Sequence, residues 1–291
     1  MRTLLAHAAI AAAAITVGGC AIIVAPNDGD MRVHTAWSSG AVDGNGVAAR
    51  DQRPVTALAA LDVGGSLPVE VRIGPAPSLV VEADSNLLPL IRTETSGDTL
   101  RISSEKNLRS KTPIRITYTV PSLSEVRASG ASRVEVRDLK GAPLDARRSG
   151  SAELRLAGSV ASLNAYSSGS GLLDASALRA GSVDATLSGS SRVRLGQVTG
   201  DHARVELSGS SSLDGGAGAV RSLSARASGS SNVDLAALNT QDADLGASGS
   251  GGIRATVKQS LFARTSGAGG IRVYGQPAQR SITGERVHLL D

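Results

Sequence analysis

Apolar and polar side chains alternate with a period of two on both sides of a Ser-Gly pair that recurs along the C-terminal half of the chain. Around the pair that begins at Ser188, the apolar positions are Val183, Ala185, Leu187, Val193 and Leu195. This period is typical of a β-strand with one buried face, whereas a helix would need apolar residues three and four positions apart. Each unit is therefore predicted to be two strands joined by a tight corner.

Eight such pairs follow one another at steps of 18 to 20 residues. Glycine reaches backbone angles closed to other residues, and serine hydroxyls can bond turn amides, so the pairs are predicted to be structural turns. They are Ser129-Gly130, Ser149-Gly150, Ser168-Gly169, Ser188-Gly189, Ser208-Gly209, Ser228-Gly229, Ser248-Gly249 and Ser266-Gly267.

One unit cannot bury its apolar face alone, but stacked copies build a continuous core. The sequence therefore predicts an all-β fold, a single-stranded β-helix (a β-solenoid) with about 20 residues per repeat. The composition agrees, because 34 glycines and only one Phe, one Trp and three Tyr suit a narrow core. Arg148 is the exception, since it falls where a small apolar residue is expected. A local bulge or a rim position would accommodate it.

The N-terminus reads as a secretory signal peptide, with Arg2 ahead of a short apolar stretch and small residues before a break. Cys20, the chain's only cysteine, follows Val17-Gly18-Gly19, and this segment resembles the bacterial lipobox. The resemblance implies lipidation of Cys20 and removal of residues 1–19. The alternative is a plain signal peptide with an incidental cysteine. Ala21, rather than Asp, favours the outer membrane over the inner one.

Five segments are predicted. Residues 1–19 are the lipoprotein signal peptide, and residues 20–53, which are weakly patterned, are the lipidated N-terminus and a flexible tether. Residues 54–121 are irregular N-terminal coils of the β-helix, with a separate small β domain as the alternative. Residues 122–275 hold the eight repeats. Residues 276–291 form a C-terminal cap.

The lipobox, the strand pattern that ends in Val120-Pro121-Ser122-Leu123 and the Ser-Gly-Ser repeats together resemble the DUF2807 family. Its members are described as autotransporter adhesin head domains, or GIN domains. The resemblance covers roughly residues 54–290. It implies an exported, often lipid-anchored β-helix, right-handed and similar to pectin-lyase folds, with a role in adhesion and no agreed catalytic residues.

An enzyme is the rival interpretation, since glycoside cleavage on such a scaffold needs two carboxylates at a fixed separation. Asp214 and Asp234 are the best candidates, because they are predicted to be neighbours in adjacent coils. The charges in each outward column alternate in sign, which favours ion pairing on a solvated face over an acid cluster. We therefore predict no catalytic residues, no cofactor and no metal site.

The net charge of +4 comes mostly from arginines interspersed with acids, and stacking aromatics are scarce, so a nucleic-acid partner is not expected. The predicted partners are the membrane, through Cys20, and an envelope polysaccharide, lipopolysaccharide or another surface protein. The predicted function is a non-catalytic adhesion, interaction or structural role in the cell envelope. A carbohydrate-active enzyme and an envelope-stress or regulatory accessory remain the alternatives.

Overall fold

The computed structural model describes residues 22–23, 34–35 and 40–290. The chain divides into two units, Met1–Ala41 and Val42–Asp291. In the first unit, β1 (Ile22–Ile23) and β2 (His34–Thr35) pair in antiparallel fashion. The predicted signal peptide and the predicted lipidation site, Cys20, lie outside the described residues.

The second unit consists almost wholly of strands. In chain order its elements are β3 (Val42–Asp43), β4 (Ala48–Arg53), β5 (Ala60–Val63), β6 (Pro68–Ile73), β7 (Ser78–Asp84), a 3-10 helix (Leu88–Leu90), β8 (Ile91–Ser96), β9 (Thr99–Ser104), β10 (Leu108–Arg109), β11 (Arg115–Val120), β12 (Glu125–Ala128), β13 (Arg133–Gly141), β14 (Leu144–Arg148), β15 (Glu153–Ser167), β16 (Leu172–Leu187), β17 (Arg192–Leu207), β18 (Ser212–Asp214), β19 (Gly218–Ala227), β20 (Asn232–Gly249), β21 (Gly252–Gly267), β22 (Gly270–Tyr274), β23 (Gln279–Thr283) and β24 (Val287–Leu290).

The strands from β12 onward stack in parallel, each beside its equivalent in the next turn. Leu187 pairs with Leu207, Leu207 with Ala227, and Ala227 with Ala247, so one apolar position of the repeat forms an inward column. The predicted β-solenoid is confirmed, with about eight turns of about 20 residues. The inward side chains form one continuous core of Leu, Val, Ile and Ala.

The Ser-Gly corners lie directly above one another. All eight corner glycines have φ between 68° and 92°, a conformation that L side chains rarely adopt. The amide of each residue that follows a corner glycine donates to the glycine carbonyl of the turn below, as from Ser210 to Gly189 at 2.7 Å. A Cβ at Gly209 would lie 2.5 Å from the Gly189 carbonyl oxygen, so the spacing of the turns requires glycine here.

Residues 54–121 belong to the same unit as the repeats and do not form a separate domain. Strands β5 and β6 make a first turn beneath β12 and β13. Beneath that turn, β9 pairs in parallel with β5, and β11 pairs in parallel with β6. The regular stacking ends there, because β7 and β8 run antiparallel to β11 and β9. The N-terminal end of the solenoid is therefore closed by antiparallel strands in addition to irregular coils.

The prediction of a flexible tether up to residue 53 is wrong for residues 42–53. Strand β4 pairs with β7 over six residues, and β3 pairs with β10. Arg53 holds the end of β4 in place by donating to the carbonyls of Leu88 (2.8 Å) and Ile91 (2.6 Å). The alternation of apolar residues gave no signal because β4 is an edge strand, Ala-Ala-Arg-Asp-Gln-Arg, with no residue in the core.

The C-terminal segment adds a further, shorter turn. Strands β23 and β24 pair in parallel with β21 and β22. Gly284 takes a positive φ of 103° at the corner between them. A Cβ at Gly284 would lie 2.6 Å from the carbonyl oxygen of Thr265, two residues before the preceding corner glycine, Gly267. The stack therefore ends with a turn whose corner is offset from the column.

Arg148 lies neither in a bulge nor at the rim. It occupies the inward position between Ala128 and Ser167, and only 2% of its surface is exposed. Its guanidinium points along the inside of the corner column, where Ala152 and Gly171 leave space. The long side chain is tolerated because its neighbours in the next turns are small.

Candidate binding surface

The outward side chains form two long surfaces. The pre-corner face carries the residues two and four positions before each corner serine and, from the second corner onward, those six positions before it; the post-corner face carries the residues four and six positions after each corner serine. Both faces carry ion pairs between their side chains. Arg127 and Glu125 pair at 2.7 Å on the pre-corner face, and Arg133 and Glu153 pair at 3.0 Å on the post-corner face. The hydrogen bond from Arg133, together with that from Arg155, holds the pKa of Glu153 below its ordinary value. Charges on these faces are therefore largely neutralised by their neighbours.

The predicted carboxylate neighbours, Asp214 and Asp234, do lie in adjacent turns and in register. Asp234, however, accepts a hydrogen bond from Arg254 at 3.1 Å and another from the amide of Ala236 at 3.2 Å. One carboxylate oxygen of Asp234, Oδ2, is therefore in an ion pair with Arg254, and the other, Oδ1, accepts a backbone hydrogen bond from Ala236. Asp214 has no hydrogen-bond or ion-pair partner among the described residues, so the pair combines one engaged carboxylate with one unengaged carboxylate.

No cluster of three or more His, Cys, Asp or Glu side chains that could hold a metal ion occurs within the described parts of the chain. Of the histidines there, His202 contacts Asp184 at 3.2 Å on the pre-corner face, and His288 lies in the last turn.

A groove of about 510 Å³ runs along the post-corner face near the C-terminal end. Its floor is bare backbone, because Gly251, Gly252, Gly269 and Gly270 carry no side chains. The ion pair between Asp234 and Arg254 lies within it.

A second groove, of about 540 Å³, lies on the pre-corner face and is called the Phe262 groove here. The longer side chains that line this groove come from the C-terminal turns of the stack. They are His202, Arg204, Asp242, Asp244, Phe262 and Arg280. Serines occupy the intervening outward positions, at Ser222, Ser224 and Ser260. The depression exists because these short side chains stand between longer ones in the turns above and below.

Three polar side chains of the Phe262 groove are held by hydrogen bonds within the protein. Asp244 accepts from Arg226 at 3.2 Å, and Asp242 accepts a hydrogen bond from Ser260. Arg280 donates to the carbonyl of Pro277 at 2.7 Å. Each of these carboxylates is held in place yet retains acceptor capacity, because an ionised carboxylate has about four lone-pair sites.

Two aromatic rings on the pre-corner face are each covered by an arginine. The Arg147 guanidinium lies 4.6 Å from the centroid of Tyr166, and that of Arg264 lies 4.3 Å from the centroid of Phe262. Tyr166 is 43% exposed and stands five turns away from Phe262. Sequence reasoning missed the groove. The signal was present, since the chain's only phenylalanine falls in an otherwise polar column.

The described strands form a β-solenoid with two long outward faces. The chain matches the family model described as "Putative auto-transporter adhesin, head GIN domain" (DUF2807) over residues 57–199 and 184–277. Because the matched segments cover most of the chain, the protein belongs to this family. No curated protein matches it.

Solved structures of other proteins share the fold, among them the following three. A "putative adhesin from Parabacteroides merdae ATCC 43184" superposes with a TM-score of 0.68 at 18% identity, covering 86% of this chain and 99% of that one. A "Putative lipid binding protein from Parabacteroides distasonis ATCC 8503" gives 0.64 at 21% identity, covering 86% and 100%. A "putative adhesin" from the same organism gives 0.62 at 18% identity, covering 86% and 99%. Within the described residues, no helix has the length and apolar character needed to cross a membrane.

Proposed function

We propose that this protein is an exported lipoprotein, anchored by a lipid on Cys20, that acts as a non-catalytic adhesion or interaction module of the cell envelope. Membership in a family described as adhesin heads supports the adhesive role. The sequence Val17-Gly18-Gly19-Cys20 after a short apolar stretch supports export and anchoring. Ala21 supports the outer membrane as the destination.

The main support for a non-catalytic role is that outward carboxylates are engaged in ion pairs and hydrogen bonds. Asp234, one of the two candidate carboxylates, is engaged by Arg254 and by the Ala236 amide. Other outward acids are paired in the same way with arginines of their own or a neighbouring turn, as Glu153 is with Arg133 and Arg155. Such a surface is suited to recognition, because ion pairs fix side chains without leaving a proton donor poised for transfer.

The proposed partners are an envelope polysaccharide, lipopolysaccharide or another surface protein, besides the membrane that holds the anchor. One structural relative is named a lipid binding protein. For this chain the proposed lipid contact is the covalent anchor at Cys20, since an acyl chain lying on the described outward faces would have to cover ion pairs without bonding to them.

Metabolic labelling with radioactive palmitate tests the anchor. The wild-type chain is expected to incorporate label and fractionate with outer membranes, whereas the Cys20→Ala variant incorporates none. Tyr166→Ala, which leaves the lipobox intact, serves as the matched control and keeps its label. Label that persists in Cys20→Ala would contradict the anchor.

Surface attachment tests the role. Cells that produce the wild-type protein are expected to attach to abiotic or host surfaces more strongly than cells without it. Cys20→Ala is expected to behave like the deletion, because an unanchored module cannot hold the cell. Equal attachment by all three strains would reject adhesion and favour the regulatory alternative.

A further inference from the structure

Phe262 is the only phenylalanine of the chain, yet it is not in the core. It occupies the position four residues before a corner serine. In the other repeats this outward position holds polar residues: Glu125, Asp145, Asn164, Asp184, Arg204, Ser224 and Asp244. Its ring is half-buried and lines the groove, while the Arg264 guanidinium lies 4.3 Å from its centroid, so the ring is part of the outer surface and not of the core.

The polar groups around the Phe262 ring can form further hydrogen bonds. Asp242 and Asp244 each accept a hydrogen bond within the protein and keep further lone pairs. The Arg204 guanidinium forms neither an ion pair nor a hydrogen bond with any described residue. The groove therefore offers an aromatic platform, carboxylate acceptors and a free planar donor within one concave surface.

The formal charges of the side chains that line the groove are balanced, with two arginines, Arg204 and Arg280, and two carboxylates, Asp242 and Asp244. Outside the lining, Arg226 pairs with Asp244 and Arg264 lies over the Phe262 ring. A strongly anionic ligand would meet the carboxylates, and a cationic one would meet the arginines. An uncharged ligand rich in hydroxyl groups fits this balance.

We propose that the Phe262 groove binds a pyranose ring of a neutral saccharide, which deepens the proposed adhesive function and rests on it. The C–H face of the sugar packs against the side of the Phe262 ring that lines the groove and that Arg264 does not cover. Its hydroxyl groups donate to Asp242 and Asp244 and accept from Arg204. Ligand sites of 300–1,000 Å³ combine an aromatic or apolar wall with a few placed polar groups, and this groove of about 540 Å³ has that makeup.

Other occupants fit less well. An acyl chain would cover the Asp242 and Asp244 carboxylates and the Arg204 guanidinium without bonding to them, and burying unbonded polar groups is unfavourable. An interface with a folded protein commonly buries about 800 Å² of surface on each partner. The Phe262 groove is a recess and not a flat patch of that kind. Sugar hydroxyls satisfy donors and acceptors alike.

Isothermal titration calorimetry of the full chain tests the site. The chain is kept in a detergent without a sugar headgroup and titrated with maltohexaose, cellohexaose, chitohexaose and, as an acidic comparator, hexagalacturonate. At least one neutral oligosaccharide is expected to bind, and Phe262→Ala is expected to weaken it about tenfold or more. Phe262→Tyr should restore most of the affinity because the ring is kept. Arg204→Ala should weaken binding without removing the platform.

Tyr166→Ala is the matched control, since it removes the other arginine-covered ring of the same face. It is expected to leave binding unchanged. The inference is overturned if no neutral oligosaccharide binds, if only hexagalacturonate binds, or if Tyr166→Ala weakens binding as much as Phe262→Ala does. Circular dichroism of each variant establishes that its fold is retained.

The two proposals fail separately. If no saccharide binds but cells still need the protein to attach, the groove assignment is wrong and the adhesive role stands. If a saccharide binds through Phe262 but attachment does not depend on the protein, the groove assignment stands and the adhesive role is wrong.

Discussion

The guanidinium of Arg148 donates to the hydroxyl of Ser191 at 2.9 Å, although the two residues lie two turns apart in the solenoid. The same guanidinium donates twice to the Ser167 hydroxyl, at 2.6 and 2.9 Å, and once to the Gly150 carbonyl at 2.9 Å. No carboxylate bonds to it within the described residues. Burial lowers the pKa of Arg148, as expected for a cation in a low-dielectric core.

Arg148→Ala is predicted to destabilise the protein by about 2–4 kcal/mol. The truncation leaves a cavity along the inside of the corner column. It also removes both hydrogen bonds of the buried Ser167 hydroxyl, which has no other partner among the described residues. Denaturant unfolding followed by circular dichroism measures the change.

The double variant Arg148→Leu with Ser167→Ala provides the control. Replacing both polar partners by apolar groups is expected to recover at least half of the lost free energy of unfolding, because leucine already occupies this inward column at Leu187 and Leu207. A single Arg148→Ala variant within about 0.5 kcal/mol of the wild type would show that the network contributes nothing measurable.

The solenoid was predictable because its periodicity is local. Alternating residues such as Ala185 and Val193 specify which side chains point inward, and the repeated corner specifies that the turns stack. The antiparallel end was not predictable in the same way. Strand β4 is held by backbone hydrogen bonds to β7 and by hydrogen bonds from Arg53. Neither kind of contact requires apolar residues, so the alternation of apolar and polar positions does not indicate it.

The candidate site was harder to predict than the fold because its shape arises between turns. The Phe262 groove is deep only where Ser222, Ser224 and Ser260 fall beside longer residues from neighbouring turns. The role of Arg148 likewise depends on Gly171, in the next turn. Such relations appear once the register between turns is known, and a single repeat does not contain them.

Gly209→Ala is predicted to destabilise the solenoid more than Gly141→Ala does. Both glycines have φ near 76°, so both substitutions carry the strain of a left-handed residue, about 1–2 kcal/mol. A Cβ at Gly209 also lies 2.5 Å from the Gly189 carbonyl oxygen, whereas nothing lies within 4 Å of one at Gly141. The clash should add about 1–3 kcal/mol. Equal denaturant midpoints for the two variants would show that the turns are not in close contact at the corner.

Tyr118→Phe is predicted to cost about 1–3 kcal/mol of unfolding free energy. The buried Tyr118 hydroxyl donates to the Leu58 carbonyl at 2.9 Å and accepts from the Leu58 amide at 3.2 Å. Removing it leaves both backbone groups without that partner. Thermal unfolding measures the loss, with Tyr166→Phe as the exposed control, expected within about 0.5 kcal/mol of the wild type. A similar stability for both variants would refute the role of the Tyr118 hydroxyl.

The stability that Asp84 provides is predicted to depend on pH. Burial of this fully enclosed carboxyl raises its pKa, but the amide of Lys111, with Thr112 and Ser110, donates hydrogen bonds that outweigh burial and hold the pKa below its ordinary value. A group whose pKa is lowered on folding stabilises the protein above its unfolded pKa, and that contribution is lost as the pH falls through the folded value. Asp84→Asn should therefore be clearly less stable than the wild type at about pH 7, and the gap should narrow at about pH 3. Urea unfolding at the two pH values measures it. A gap that stayed constant or widened in acid would mean that the charge on Asp84 is not what holds the segment from Ser110 to Thr112.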